Sequence, residues 1–103
     1  MTEEIVYHKE MGITHQAYFR TIPNAVEGRP YVIDGLRIEI SGDSGPDGAP
    51  QTIVIELGLQ QIRRIASVRL PVTHVTYRLS GFTQTQADAV IERFDLYYRR
   101  GGG

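Results

Sequence analysis

The sequence contains no cysteine, and its charges nearly cancel. Without cysteine, the chain can form neither a disulfide framework nor a thiolate metal site. The net charge of −1 predicts no strong general attraction to nucleic acid or membrane, so an anionic partner would need a local cationic patch. No apolar run approaches the roughly 20 residues that span a bilayer, and the acidic, polar start is unlike a signal peptide. We therefore expect a cytoplasmic protein that does not contact a membrane.

The length and the apolar content favour one core. The chain has 103 residues, 41% of them hydrophobic, which suits a single globular domain over residues 1–103. Residues 42–50, GDSGPDGAP, are rich in turn-forming glycine, proline and aspartate and predict a flexible loop. Residues 101–103 form a glycine tail.

Alternating apolar and polar residues dominate the stretch Gln51–Ser80. Such alternation places one set of side chains on a buried face and the other on a wet face. We interpret the stretch as three consecutive antiparallel strands, with Pro71 at the corner between the last two. The predicted buried residues are Ile53, Ile55, Leu57, Ala66, Val68, Leu70, Val75, Tyr77 and Leu79.

Two further strands and a first helix precede this stretch. Glu3–Glu10 predicts a strand, and Thr14 is a suitable N-cap for a helix that should end or kink at Pro23. Tyr31–Ser41 predicts the second strand. The Asp34-Gly35 step within it is either a bulge or a hairpin tip, and we favour the bulge because Tyr31–Ile33 is short for a separate strand.

The last helix has the clearest signals. Thr83 and Gln86 have capping-box spacing. Apolar residues then recur at helical spacing, namely Ala87, Val90, Ile91, Phe94 and Tyr97 or Tyr98. The predicted fold is α+β: one antiparallel sheet of about five strands in the order β-α-β-β-β-β-α, with both helices packed on one face.

Two resemblances accompany this reading. The order of elements resembles one repeat of the TATA-binding-protein-like fold, although no DNA-reading residue is matched and fold does not imply function. The segment from Ser80 to Gly103, with its GF, RFDLYYRR and GGG, is similar to the ends of short bacterial proteins of unassigned activity. Neither resemblance implies a catalytic residue.

The sequence offers no recognisable catalytic or metal-binding motif. It lacks a GxSxG elbow, a phosphate-binding GxxxxGKS/T loop and an HExxH zinc motif. The Asp43 and Asp47 region invites a calcium reading, but Val54 stands where an EF-hand loop needs its glutamate. We therefore predict no metal and no cofactor, and we favour a non-enzymatic protein.

The wet face of the predicted sheet carries more cations than anions, with the acids expected elsewhere. Cross-strand charge pairs that keep the sheet soluble would explain this face simply. The sharper hypothesis is an interaction module that contacts an anionic ligand or an acidic protein through Arg37, Arg69, His74 and Arg78. Nucleic acid is disfavoured, because the face has few aromatic residues for stacking. Val54 and Ile65 on the same face favour pairing with a second copy, so we expect a homodimer.

A rival hypothesis comes from another functional class. A small enzyme or ligand-binding domain could place a cleft between the sheet and the first helix, using His8, His15 and Arg20. Residue type and expected proximity are its support.

Overall fold

The computed structural model describes residues 4–44, 48 and 50–101. The elements are β1 Ile5–Met11, α1 His15–Ala25, β2 Tyr31–Asp34, β3 Arg37–Ser44, β4 Pro50–Ile65, β5 Val68–Ser80 and α2 Gln84–Gly101. The five strands form one antiparallel sheet in the order β1-β5-β4-β3-β2. The predicted α+β class and the β-α-β-β-β-β-α order are therefore confirmed.

Both helices cover the same face of the sheet. The alternating residues of β3, β4 and β5 point into a core that α1 and α2 close from above. From the sheet this core receives Ile38, Ile40, Ile53, Ile55, Leu57, Val75, Tyr77 and Leu79, and from the helices and their flanks Ile13, Tyr18, Ile22, Ala25, Val26, Phe82, Ala87, Val90, Ile91, Phe94 and Tyr98. The opposite face of the sheet, here called the open face, has no helix against it among the described residues.

The predicted helix caps are confirmed in detail. Thr14 Oγ1 accepts a hydrogen bond from the backbone N–H of Ala17 at 3.0 Å. At α2, the Thr83 N–H donates to Gln86 Oε1 at 3.0 Å, and the Gln86 N–H donates to Thr83 Oγ1 at 3.2 Å. The first helix continues past Pro23 to Ala25, because a proline inside its last turn removes little of the hydrogen-bond ladder.

Two strand boundaries differ from the prediction. Asp34-Gly35 belongs to the tip of a tight hairpin between β2 and β3, with Gly35 at φ 62°, and is not a bulge. Conversely, the two strands predicted on either side of Pro71 form one strand, β5. Pro71 is tolerated there because β1 ends at Met11, opposite Thr73, so β5 has a free edge beyond that point.

The continuous β5 produces the most unusual feature of the fold. Beyond the core, β4 and β5 continue as a two-stranded ribbon, residues 59–70, that turns at Ala66-Ser67; we call it the arm. Its twelve residues are all exposed. Accordingly, the structure measures 52 Å along one axis and about 23 Å along the other two.

The remaining predicted segments are only partly described. Residues 42–44 belong to β3 and Pro50 begins β4, whereas residues 45–47 and 49 of the predicted flexible loop lie outside the described residues. Gly101 is the last residue of α2, and 102–103 also lie outside the described part. Within the described ranges, neither helix combines the length and the apolar composition that crossing a membrane requires.

Candidate interaction surfaces

The arm exposes large apolar side chains far from the core. Leu59 is 77% exposed and Ile62 64%, and three more apolar residues of the arm are at least 43% exposed. Single exposed apolar residues are common, but several of them on one projecting element form a candidate interaction surface. The three other residues are Ile65, Val68 and Leu70.

A β-bulge at the root of the arm decides which side chains share a face. Leu57 pairs with Val75 and Gln60 with Thr73, so β4 has one residue more than β5 between these pairs. Directly opposite residues point to the same face. Because Val75 and Thr73 both point toward the core, Gln60 does too. Every second residue of the arm from Gln60 onward therefore continues the helix-covered face.

The two faces of the arm consequently differ in chemistry. The face continuous with the open face carries an apolar column along β5, formed by Val68, Leu70 and Val72, with Ile65 opposite Val68. We call this the apolar face of the arm. The other face carries Ile62 and Pro71 and, nearer the tip, Arg64 and Arg69. We call this the arginine face.

Arg64 and Arg69 are direct cross-strand partners. Like charges in this position repel each other, because their Cβ atoms lie within about 5.5 Å. Within the described ranges, neither guanidinium forms an ion pair. The sequence between Leu57 and Thr73 has three arginines and no acidic residue, so nothing within the arm relieves this repulsion.

The root of the arm is fastened to the first helix. His15 Nε2 lies 2.7 Å from the carbonyl O of Gly58, and the His15 N–H donates to Gln60 Oε1 at 2.8 Å. Thr73 Oγ1 adds a buried hydrogen bond of 2.7 Å to the carbonyl O of Ile13. Three contacts from the start of α1 and its preceding turn thus fix the direction in which the arm leaves the sheet.

The open face does not carry the predicted excess of cations. The sequence-based prediction leaves the acids of the β1 edge off this face and places Arg69 on it, whereas the register places Arg69 on the arginine face of the arm. The described charged residues of the open face and its edges are the arginines Arg37, Arg63 and Arg78 and the acids Glu4, Glu10, Asp34, Glu39 and Glu56.

These open-face charges are paired with one another. Arg78 donates to Glu56 at 2.7 Å and to Glu4 at 3.0 Å, and these carboxylates raise the pKa of its guanidinium. Arg63 donates to Glu10. The face therefore resembles a solvated charge ladder, in which exposed ion pairs contribute little to stability.

The predicted binding residues separate into two places. Arg37, His74 and Arg78 lie on the open face, where Arg37 Nη1 is 3.7 Å from Glu39 Oε2 and His74 Nε2 is 3.7 Å from Glu10 Oε2. Arg69 lies on the arm and contacts no acid among the described residues. The four residues thus do not form one contiguous patch.

The residues of the rival cleft do not converge either. His8 lies on the open face, with Nδ1 at 3.4 Å from Thr76 Oγ1. His15 lies at the root of the arm. Arg20 lines a groove of about 730 Å³ between α1 and α2 on the far side of the helices. Consequently, no two of these residues can act on one substrate atom.

The groove between the helices has a fixed polar wall. Arg93 donates to both oxygens of Glu27, at 3.0 and 2.6 Å, and the Tyr97 hydroxyl donates to the same carboxylate at 2.9 Å. These hydrogen bonds hold the pKa of Glu27 below its ordinary value. Glu27 has φ 53°, a left-handed backbone that costs a non-glycine residue free energy. The exposed side chains of Arg20 and Leu96 complete the groove.

Nothing in the described ranges gathers three or more histidine or acidic side chains in a geometry that could hold a metal ion. No protein-family model matches the chain, and no curated protein matches its sequence. The two resemblances suggested by the sequence therefore stay predictions.

The arm is not among the features predicted from the sequence, although the sequence contains a signal for it. Around Pro71, from Val68 to His74, there is no glycine, asparagine, aspartate or serine, so a turn there would depend on the proline alone. In addition, Val68 and Leu70 occupy even-numbered positions, whereas Val75 occupies an odd-numbered one, so they point to opposite faces of a continuous strand. A single long strand whose apolar side changes face accounts for both features.

Proposed function

We propose that the protein is a small non-enzymatic interaction module that contacts an anionic partner, such as an acidic protein segment, through the arginine face of its arm. The observation that supports this proposal is the cross-strand pair Arg64 and Arg69, which repel each other and contact no acid among the described residues. An anionic group placed between the two guanidiniums would convert this repulsion into two charge-assisted hydrogen bonds.

The proposal moves the contact surface away from the open face for an electrostatic reason. Arg37 and Arg78 already have carboxylate partners, so an external anion would have to compete with Glu39, Glu56 and Glu4. Arg69, the fourth of the residues predicted from the sequence, has no such competitor in the described structure. The arm also projects from the body, so a partner can reach it without contacting the glutamate-rich sheet.

Binding to a fluorescein-labelled oligo-glutamate peptide tests the proposal by fluorescence anisotropy at several salt concentrations. We expect binding that weakens with added salt, because exposed charges are screened. The variant Arg64→Glu/Arg69→Glu should bind about tenfold or more weakly, since two attractive contacts become repulsive.

A matched control is Arg29→Glu/Arg99→Glu, which changes the net charge equally but lies outside the arm. This variant should retain most of the binding. Equal losses in the two variants would mean that total charge, and not the arm, attracts the peptide. Salt-independent binding would also contradict the proposal.

The groove between α1 and α2 supports a second candidate, a ligand-binding domain for a small carboxylated compound. The exposed Arg20 guanidinium beside the fixed Glu27–Arg93 pair is the feature that favours it. Addition of succinate should then shift the backbone amide signals of residues 20–27 in a ¹H–¹⁵N spectrum, and Arg20→Ala should abolish the shifts. Shifts confined to the arm would exclude this candidate.

A further inference from the structure

The arm has a second surface that the proposed function does not use. Its apolar face presents Val68 and Leu70 in line along β5, followed by Val72 where the ribbon meets the core. Val68 is 52% exposed and Leu70 43%, whereas Val72 is 7% exposed. The exposed part of this column lies between the tip and the root of the arm.

An uncovered ribbon of this kind requires a partner. An isolated two-stranded hairpin is marginally stable in water, and a hydrophobic face packed on another layer is what usually stabilises it. Neither face of residues 59–70 is packed within the described structure. The required cover must therefore be available whenever the protein is folded, which favours a second copy over an occasional client.

We infer that two copies of this chain pack the apolar faces of their arms together about a two-fold axis close to Leu70. In such an isologous contact, the same column meets itself in the antiparallel sense, with Leu70 against Leu70 and Val68 against Val72. The polar residues Gln61 and Arg63 of β4 flank the column and would form the rim. An apolar centre with a polar rim is the usual anatomy of a protein interface.

The charges on the arm favour the apolar face over the arginine face as the dimer interface. Arg63, the only charged residue on the apolar face of the arm, is paired with Glu10, so two such faces can approach without unpaired like charges. Packing by the arginine face would bring four guanidiniums together, because each copy contributes Arg64 and Arg69. In the inferred dimer both arginine faces point outward, so dimerisation and anion binding do not compete.

Sedimentation velocity at micromolar concentration tests the dimer directly. The unchanged protein should sediment as a dimer, and Val68→Thr/Leu70→Thr should raise the dimer dissociation constant about 100-fold or more, because apolar burial is lost in both copies. Threonine is β-branched and uncharged, so both substitutions suit a strand of the ribbon. The matched control Ile62→Thr/Val32→Thr alters two exposed apolar residues outside the interface and should leave the dimer intact.

An introduced thiol provides a readout that does not depend on a destabilised variant. Because the chain has no cysteine, Leu70→Cys creates a unique site that should be cross-linked between the two copies by a short bismaleimide, which spans the roughly 10 Å between facing ribbons that a disulfide cannot. Ile62→Cys, on the arginine face of the same arm, should not. The oligo-glutamate binding described above is measured separately, so loss of one property leaves the other interpretable.

Three results would overturn the inference. These are a monomeric wild-type protein, a dimer that survives Val68→Thr/Leu70→Thr, and Ile62→Cys that is cross-linked by the bismaleimide as readily as Leu70→Cys. A monomer whose arm signals shift on addition of phosphatidylglycerol vesicles would identify a lipid surface, and not a second copy, as the cover.

Discussion

Two tyrosine hydroxyls in the middle of the core allow a sharp test of the packing. Tyr18 of α1 and Tyr77 of β5 are 0% and 1% exposed, and their hydroxyl oxygens lie 2.9 Å apart. The Tyr77 hydroxyl also lies 3.9 Å from Met11 Sδ, a weak acceptor. Tyr77 is thus the main hydrogen-bond partner of the Tyr18 hydroxyl, and the Tyr98 hydroxyl lies close enough to help raise the pKa of Tyr18. The pair thus links the first helix to the centre of the sheet through one shared hydrogen bond.

The variants Tyr77→Phe and Tyr18→Phe should have larger effects singly than together. Each single change leaves one buried hydroxyl without its main partner, which costs about 1–3 kcal/mol of unfolding free energy. The double variant removes both hydroxyls and keeps both rings, including the stacking of Tyr18 on Tyr98 with centroids 4.2 Å apart. Because no polar group is then left unpaired, we expect its stability to lie within about 1 kcal/mol of the wild type.

Urea unfolding followed by circular dichroism measures these free energies, and the four proteins form a double-mutant cycle. The expected coupling is at least about 1 kcal/mol, because each hydroxyl needs the other. Additive losses, in which the double variant is as unstable as the sum of the two singles, would refute the reasoning. A neutral Tyr77→Phe variant would show that the Tyr18 hydroxyl finds another partner.

Three further outcomes follow from the packing. Gly81→Ala should destabilise the fold by at least about 1–3 kcal/mol in thermal unfolding, because Gly81 has φ +85° and an added Cβ would overlap the carbonyl O of Pro50. His15→Ala should accelerate amide exchange at residues 58–61 with little change in melting temperature, whereas equal acceleration across the whole sheet would contradict a local role in holding the arm. Raising the pH above about 10, the ordinary tyrosine pKa, should unfold the protein, because folding holds several tyrosine pKa values higher and this stability is lost as pH rises toward those values. Tyrosine ionisation, measured by absorbance at 295 nm, should then coincide with the loss of the circular dichroism signal. Ionisation of the buried tyrosines at pH 10 in a protein that stays folded would contradict this expectation. Burial raises the pKa of Tyr18, Tyr77 and Tyr98, and partial burial with a hydrogen bond to Asp88 raises that of Tyr7 to about 12.

The helices were predictable because their signals are local. The capping box at Thr83 and the N-cap at Thr14 depend on residues within one turn, and the apolar stripe of α2 repeats five times. The strand count was also correct, but two errors cancelled. The sequence predicts a bulge inside one strand where the structure has the hairpin at Gly35, and it predicts two strands where the structure has one continuous strand through Pro71.

Both errors concern information that is not local. Whether a proline fits within a strand depends on where the neighbouring strand ends, and β1 ends at Met11. The short β2 is stabilised by pairing with β3, although all four of its residues are exposed. The charge of the open face likewise depends on Glu4 and Glu10, which lie more than 50 residues from their partners Arg78 and Arg63.

The bulge at the root of the arm makes its two strands unequally tolerant of length changes. Between the Leu57–Val75 pair and the Ile65–Val68 pair, β4 supplies seven residues, 58–64, and β5 supplies six, 69–74. Deleting Leu59 would equalise the two counts and straighten the ladder while every later side chain kept its side. Deleting one residue from β5 would widen the mismatch and, unless a second bulge formed, would exchange the chemistry of the two sides of the ribbon. A one-residue deletion should therefore be tolerated in the β4 half of the ribbon and should disrupt the ribbon when it falls in the β5 half.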